Sequence, residues 1–161
     1  MLNKIVLPIE TMDNMREAAN VVRSAITSCP ADHCGDMITI NQWNANALNE
    51  ILRAKHAYYV TNKVDHKGIV CGVASMTGCG MLTALYVHPS FKDFGYGGTL
   101  LTFMERIAKD MEAPRVNLVC TATARPFYMK RGYKELGSAP QRGAGCTWNF
   151  PLFKELDYAL I

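Results

Sequence analysis

Apolar residues recur at two spacings along this chain, one typical of helices and one typical of strands. In residues 11–27, 41–56 and 99–112 they return every three or four positions, which predicts three helices with one apolar face each. The stripe in 99–112 is the most regular of the three. Asp13 is the predicted N-terminal cap of the first helix.

Shorter apolar runs, bounded by glycine, proline or polar residues, predict strands. They cover residues 3–9, 57–63, 68–77, 81–89, 115–120, 133–136 and 145–150. The run 115–120 is almost wholly apolar, so we expect both of its faces to be covered. A short helix is predicted to begin at Thr123 or Ala124 and to end at Gly132, because Pro126 fits only a first helical turn.

These segments follow one another as a strand, two helices, three strands, a helix, a strand, a helix and two strands. This order predicts an α/β fold with a mixed sheet of about six to seven strands and about four helices. The chain has 161 residues, and we expect a single domain over 1–161.

Seventeen basic and fourteen acidic residues leave a net charge of +3, which does not by itself indicate nucleic-acid binding. The surplus is concentrated in residues 122–145, where five basic residues accompany Glu135 alone. They are Arg125, Lys130, Arg131, Lys134 and Arg142. Such a segment could attract a phosphorylated ligand or form a solvated helix face.

No apolar run approaches the roughly 20 residues of a membrane span, and Pro8 interrupts the only stretch that could resemble a secretory signal. Six cysteines are present without a CxxC pair, which favours free thiols and a cytoplasmic location. Cys29, His33 and Cys34 offer three zinc ligands without a clear fourth, so a polar loop is the favoured interpretation and no metal is expected.

The stretch "FKDFGYGGTLL" (91–101) places Gly95, Gly97 and Gly98 before the strongest predicted helix. A P-loop requires GxxxxGK[ST] and a dinucleotide fingerprint requires GxGxxG; neither spacing occurs here. A hinge that uses glycine for its turns remains open. So does a pyrophosphate cradle, in which a helix N-terminus offers unpaired N–H groups to an anion.

Two segments decide between these alternatives by resemblance. Val87-His88-Pro89, followed by the loop 92–97 and a helix that opens with aliphatic residues, resembles the acetyl-CoA-binding segment of the GNAT (general-control-related N-acetyltransferase) superfamily. Residues 124–133 resemble its closing segment, A-x-x-F-Y-x-K-x-G-F/Y. The two matches cover residues 81–137, about a third of the chain.

The resemblance implies the GNAT fold, with a mostly antiparallel sheet and splayed central strands, and an acetyl-CoA-dependent N-acetyltransferase. It implies cofactor contacts from the strand, the glycine loop and the closing segment. The implied residues are Leu85, Tyr86, Val87, Lys92, Asp93, Phe94, Gly95, Tyr96, Gly97, Gly98, Thr99, Thr121, Arg125, Phe127, Tyr128 and Lys130. Lys92 replaces the family's usual arginine or glutamine, and Thr121 stands where an asparagine is common.

The resemblance also implies direct attack by an amine within a ternary complex. Tyr128 is the implied acid for the departing thiolate, and the backbone N–H of Val87 is the implied donor to the thioester carbonyl. The glutamate that many family members carry as a base is missing from residues 80–87, where Met81 lies near its usual place. His88, a water chain or an amine that arrives neutral could replace it.

The acceptor is expected between the two N-terminal helices and the strands 57–63 and 145–150. Four aromatic residues could line that cleft or belong to the core: Trp43, Tyr58, Tyr59 and Trp148. A small-molecule or peptide amine is the expected partner, and a homodimer is possible. Two alternatives stay open, a CoA-binding protein without catalysis and an acetyltransferase directed to RNA or aminoacyl-tRNA by the basic segment.

Overall fold

The computed structural model describes residues 4–29, 37–62, 69–137, 141–142 and 148–158. Its strands are β1 (Ile5–Pro8), β2 (His56–Thr61), β3 (Val70–Met76), β4 (Leu82–Val87), β5 (Arg115–Thr121), β6 (Lys134–Glu135), β7 (Gln141–Arg142) and β8 (Trp148–Glu155). Its α-helices are α1 (Met12–Thr27), α2 (Met37–Arg53), α3 (Tyr96–Asp110) and α4 (Arg125–Met129), and a 3₁₀ turn spans Pro89–Phe91. The α/β prediction is confirmed, and the two-residue β7 is the strand it did not include.

The strands form two half-sheets. One has the antiparallel order β1-β2-β3-β4, and the other has the antiparallel order β5-β8-β6 with β7 also paired to β8. Between β4 and β5, both fully described, the structure has one parallel bridge, from Met81 to Asn117. The Asn117 N–H donates to the Gly80 carbonyl over 3.1 Å there. The two strands are therefore joined at their N-terminal ends and separate towards Val87 and Thr121.

A β-bulge bends β4 just beyond this bridge. Ala84 pairs with Ser75 and Leu82 pairs with Met76, so Thr83 is an extra residue in β4. Its hydroxyl shares a 2.7 Å hydrogen bond with the buried hydroxyl of Ser75. Because a bulge bends its strand and increases the local twist, it helps to turn β4 away from β5.

Helices cover both faces of the first half-sheet, and every residue of β3 is buried. On one face α3 packs through residues such as Leu100 and Met104. On the other face α1 and α2 pack through Val22 and Ile51, against Val73 of β3. No helix in the described part of the chain is long and apolar enough to cross a membrane.

The cap of α1 is Thr11, so the prediction of Asp13 was wrong. The Thr11 hydroxyl accepts from the Asn14 N–H at 3.0 Å, and the Asn14 side chain accepts from the Thr11 N–H at 3.3 Å. This reciprocal capping box satisfies two helix-terminal donors. Asp13 lies in the first turn, where it pairs with Arg16 at 3.4 Å on the exposed surface.

The second half-sheet corrects two further predictions. Val119 is 48% exposed, so β5 is not covered on both faces; its buried residues alternate with more accessible ones. β8 does not stop at Phe150 but continues through Pro151 to Glu155. The Pro151 carbonyl accepts from the Leu136 N–H at 2.9 Å, on the side where β6 has already ended. A proline lacks only its donor, so β8 tolerates it at this position.

Several boundaries also differ from prediction. In the described residues α2 begins at Met37 rather than at residue 41 and ends at Arg53, and α3 begins at Tyr96 rather than at Thr99. The helix α4 ends at Met129, before the predicted Gly132. His33 and Cys34 of the zinc hypothesis lie outside the described residues, and no group of three or more metal-binding side chains occurs within them.

Candidate active site

The separation of β4 from β5 leaves a slot lined by backbone groups. The His88 N–H donates to the Cys71 carbonyl of β3 at 2.8 Å. Successive residues of a strand point their N–H and C=O groups to alternate sides. Leu85 and Val87 therefore direct their backbone groups away from β3, into the slot. Tyr86 pairs with Val73 of β3, so its backbone groups face β3 rather than the slot, and a contact between Tyr86 and the cofactor remains a prediction.

The N-terminus of α3 lies beside the open end of this slot. Gly95 caps the helix with a left-handed backbone (φ 86°) and contributes no side-chain hydrogen bond. The first intrahelical bond runs from the Thr99 N–H to the Gly95 carbonyl at 3.1 Å. The N–H groups of Tyr96, Gly97 and Gly98 precede that bond, so they can bind an anion in the positive field of the helix end.

Gly97 and Gly98 form part of the first helical turn, and each lies close to a side chain of the α4 region. A β-carbon on Gly97 would lie 3.3 Å from the Phe127 ring and 3.5 Å from Val87. On Gly98 it would lie 3.1 Å from the Arg131 guanidinium. The absence of side chains thus lets β4, α3 and α4 meet at the mouth of the slot.

The rest of the glycine loop divides into exposed and buried side chains. Lys92, Asp93 and Phe94 are exposed, and Asp93 adopts a left-handed backbone (φ 67°) that aspartate tolerates. Tyr96 is 1% exposed and stacks edge-on against Phe91 with the ring centres 5.8 Å apart. Of Tyr96, only the backbone can contact a ligand at the helix end.

Two cations beside the glycine loop were missed by the sequence analysis as site residues. Arg131 lies against Gly98, donates to the Phe127 carbonyl at 2.9 Å and covers the Phe127 ring at 3.8 Å. Lys4 of the β1 region lies on the other side, with its Nζ 2.7 Å from a β-carbon built on Gly95. The basic segment had suggested a phosphate ligand, but nothing in the sequence linked Lys4 to the loop.

A groove of about 840 Å³ continues from the loop along the solvent side of α3. Its lining includes Lys4, Gly95, Thr99, Arg106, Arg131 and Lys154, with Glu105 as the acidic member. The excess of positive charge suits an anionic ligand that reaches beyond the helix N-terminus.

Tyr128 lies behind the mouth of the slot and is 6% exposed. Its ring contacts Phe127 and Tyr133 edge to face, with centroid distances of 5.1 and 5.5 Å. Burial raises the pKa of the Tyr128 phenol above its usual value, and the neighbouring Cys120 and Tyr86 raise it further. Burial also raises the pKa of Tyr86, to about 12. Tyr128 therefore stays protonated at neutral pH and can donate a proton.

His88 caps the 3₁₀ turn with its side chain. Its Nδ1 accepts from the Ser90 N–H at 3.1 Å, and its ring lies edge-on to Phe91. In the neutral ring this arrangement places the proton on Nε2. The free lone pair of this ring is the one on Nδ1 that the Ser90 N–H occupies, so the ring must give up that bond before it can accept a proton. The role of His88 as a base remains a prediction.

The other predicted cofactor residues have local partners or are exposed to solvent. The Thr121 hydroxyl accepts from the Ala124 N–H at 3.4 Å. Arg125 forms an ion pair with Glu135 and lies over the Phe150 ring at 5.1 Å, so its charge is already compensated. Lys130 is exposed just after α4.

The expected acceptor aromatics do not share one surface. Tyr58 lies on the α3 face of β2, where it contacts Phe103 at 4.8 Å, whereas Tyr59 and Trp43 pack on the α1–α2 face. Neighbouring residues of a strand must face opposite ways. The side chain of Trp148 lies outside the described part of the structure. Met81, near the place of the missing glutamate, lies at the joined end of β4 and β5.

Comparisons with known proteins identify the family and the fold. The family model of the acetyltransferase (GNAT) domain matches residues 29–150. No curated protein matches the chain by sequence.

Solved structures share its fold at low identity. A GCN5-related N-acetyltransferase from Rhodopseudomonas palustris has a TM-score of 0.80 at 21% identity, over 97% of this chain and 98% of that one. The PaiA N-acetyltransferase from Thermoplasma acidophilum, in complex with coenzyme A, has a TM-score of 0.68 at 18% identity, over 96% of this chain and 99% of that one. The ribosomal-protein-S18-alanine N-acetyltransferase from Escherichia coli has a TM-score of 0.68 at 14% identity, over 98% of this chain and 96% of that one.

Proposed function

The chain belongs to the GNAT acetyltransferase family, and we propose that it transfers the acetyl group of acetyl-CoA to a primary amine by direct attack. The observation that carries the proposal is the slot between β4 and β5, whose backbone groups at Leu85 and Val87 face a gap that ends at the N-terminus of α3.

Acetyl-CoA fits this arrangement in chemical terms. The unpaired N–H groups of Tyr96, Gly97 and Gly98 suit the pyrophosphate. The backbone groups of Leu85 and Val87 suit the amides of the pantetheine arm, which can pair with them as a strand edge would. The related PaiA N-acetyltransferase was solved with coenzyme A. Arg131 and Lys4 add positive charge on the two sides of the loop. The exposed Lys92 can add a further charge, but a lysine lacks the planar guanidinium that binds phosphate through two parallel hydrogen bonds.

Acetyl-CoA supplies an activated acetyl group, and the protein's residues control its transfer. The amine nitrogen forms a bond to the acetyl carbon as the carbon–sulfur bond breaks. The N–H groups that line the slot donate to the carbonyl oxygen while negative charge develops on it. Tyr128 gives its phenolic proton to the departing sulfur, and the proton lost by the amine nitrogen restores the phenol through water. The products are an N-acetylated amine and the CoA thiol.

The general base does not have to be a side chain in this proposal. Residues 80–88 contain no carboxylate, and the Nδ1 of His88 is engaged by Ser90. An amine that is already neutral, or a water that accepts its proton, meets the requirement. Such an enzyme should become faster as pH rises through the pKa of its amine substrate.

The acceptor is a small-molecule or peptide amine that enters beside the α1–α2 face of the sheet. The RNA-directed alternative loses support because Arg125, one of the five basic residues, is paired with Glu135. A CoA-binding protein without catalysis is the remaining rival.

The test is turnover of acetyl-CoA, measured as release of free thiol, with a panel of polyamines, amino acids, aminoglycosides and peptide N-termini. We expect thiol release that depends on one class of amine. Tyr128→Phe should lower kcat about 100-fold or more, as expected for loss of a general acid, while the CoA dissociation constant stays within about threefold. CoA binding by calorimetry without thiol release for any amine would instead support the non-catalytic rival.

A further inference from the structure

Three side chains from three separate segments meet behind Tyr128. They are Glu105 of α3, Tyr133 after α4 and Lys154 of β8. The Tyr133 hydroxyl donates to Glu105 Oε2 at 2.9 Å, and Lys154 Nζ lies 3.1 Å from the same oxygen. This hydrogen-bonded set links the core helix to the second half-sheet.

Tyr133 contacts Tyr128 through both its backbone and its ring. The Tyr133 N–H donates to the Tyr128 carbonyl at 3.2 Å, and the two rings stand at 69° with their centres 5.5 Å apart. Tyr133 is 2% exposed, so its ring cannot move without displacing its neighbours. Phe127 contacts the Tyr128 ring as well, at 5.1 Å and 83°. The orientation of Tyr128 is thus set by two perpendicular aromatic contacts.

The surroundings of Tyr133 keep its phenol protonated, so that its hydroxyl acts as a hydrogen-bond donor. Burial and the neighbouring Glu105 carboxylate raise the pKa of Tyr133, so the phenol stays protonated and donates to Glu105. Lys154 compensates the carboxylate charge and lies 5.7 Å from the Tyr133 ring centre. A phenylalanine at position 133 would fill the same space without this hydrogen bond, which holds the ring at its hydroxyl end.

We propose that Tyr133, held by Glu105, is a positioning residue that orients Tyr128 for proton donation to the departing sulfur. The inference rests on the proposed function, because it assigns a role relative to the acid of that reaction. Catalytic geometry is demanding, and a displacement of about 1 Å can cost about 100-fold in rate. A residue that touches neither substrate can therefore affect kcat through its contact with Tyr128.

The chain offers a matched control for deletion of this hydroxyl. Tyr158 also donates its hydroxyl to a neighbour, the carbonyl of Ala113. Ala113 precedes β5, at the end where the two half-sheets are joined. Tyr158→Phe therefore removes one hydroxyl and one hydrogen bond at the opposite end from the mouth of the slot.

The experiment is a double-mutant cycle with Tyr133→Phe and Tyr128→Phe, measured as thiol release. We expect Tyr133→Phe to lower kcat about 5- to 10-fold, within the range of a small displacement, while KM for acetyl-CoA stays within about twofold. Tyr158→Phe should leave kcat unchanged. Because Tyr133 acts through Tyr128, the double variant should have the kcat of Tyr128→Phe alone.

A second pair of variants applies if Tyr133→Phe does not fold. Glu105→Gln keeps an oxygen that can accept from Tyr133, and Glu105→Ala does not. We expect the glutamine variant to retain most of the kcat that the alanine variant loses. Equal kcat in the two variants would overturn the proposal.

The outcomes separate the two proposals. If wild type turns over and Tyr128→Phe is slow, but the effects of the two single changes multiply in the double variant, Tyr133 does not act through Tyr128 and this inference fails alone. An unchanged kcat in Tyr133→Phe has the same meaning. Absence of turnover in wild type, or full activity in Tyr128→Phe, removes the proposed function and this inference together.

Discussion

A β-carbon on Gly97 would lie 3.3 Å from the ring of Phe127, on the far side of the slot mouth. This contact gives Gly97 a packing role, whereas the nearest group to Gly98 is the flexible end of Arg131. We expect Gly98→Ala to raise the CoA dissociation constant about tenfold with little change in melting temperature. Gly97→Ala should cost about 1–3 kcal/mol of stability through overpacking. Calorimetric titration with CoA and thermal unfolding distinguish the two.

A fall in melting temperature for Gly98→Ala, with CoA affinity unchanged, would show that the glycine loop is a structural turn rather than a cradle.

Arg131 should contribute to CoA affinity more than Arg125 does. We expect Arg131→Met, which keeps an apolar stem over Phe127, to raise the CoA dissociation constant about tenfold, as charge-assisted hydrogen bonds to phosphate are lost. The effect should shrink in high salt. Arg125→Met is the control, because Arg125 is already paired with Glu135.

Titration with 3′-dephospho-CoA identifies the phosphate that Arg131 contacts. If Arg131→Met binds CoA as wild type does, the groove along α3 is not a phosphate site.

Thr11 should stabilise α1 more than Asp13 does. Loss of the Thr11 hydroxyl removes a capping bond, so Thr11→Ala should lower the free energy of unfolding by about 1 kcal/mol, or about 2–4 °C in melting temperature. Asp13→Ala removes an exposed ion pair with Arg16 that is worth little. Urea unfolding measures both. A larger loss in Asp13→Ala would contradict the capping box.

Stability should fall above pH 10 because buried phenols must ionise. Burial raises the pKa of Tyr86 from its usual 10 to about 12, and also raises the pKa of Tyr96, Tyr128 and Tyr133. Between those values the unfolded chain loses protons that the native state retains, so this contribution is complete below pH 10 and is lost as pH approaches 12.

Phenolate absorbance and circular dichroism should therefore change together for four of the seven tyrosines. Ionisation of all seven before any loss of secondary structure would contradict the burial of these rings. Tyr86→Phe, which removes one of the four groups, should move the alkaline unfolding midpoint upward.

Sequence could predict those parts of the site whose residues lie close together along the chain. Gly95 and Gly97, and likewise Phe127 and Tyr128, are separated by one or two positions, so their motif is visible in the sequence. Arg131 and Gly98 are 33 positions apart, and their contact depends on how α4 packs against α3. Spacing alone therefore could not assign Arg131 to the loop, nor Lys4.

The errors about strands have equally specific causes. Tyr58 and Tyr59 were assigned to one cleft although neighbouring strand residues face opposite ways. The strand predicted at 145–150 continues through Pro151, which lies opposite Leu136, just beyond the end of β6, and still accepts there through its carbonyl. Val119 is as apolar as its neighbours, and apolar character alone does not distinguish a covered face from an accessible one.

The bridge between Met81 and Asn117 gives the slot a floor, and the register of β4 sets its depth. From that floor to Val87 the strand advances six residues, one of them the bulged Thr83, and therefore spans at most about 20 Å. This depth is fixed by the covalent chain and by backbone pairing, not by side chains. Substitutions on the α1–α2 face therefore leave this depth unchanged, as long as the pairing of β4 with β3 is kept. The reach of the slot is thus a property of the backbone that changes of side chains can leave intact.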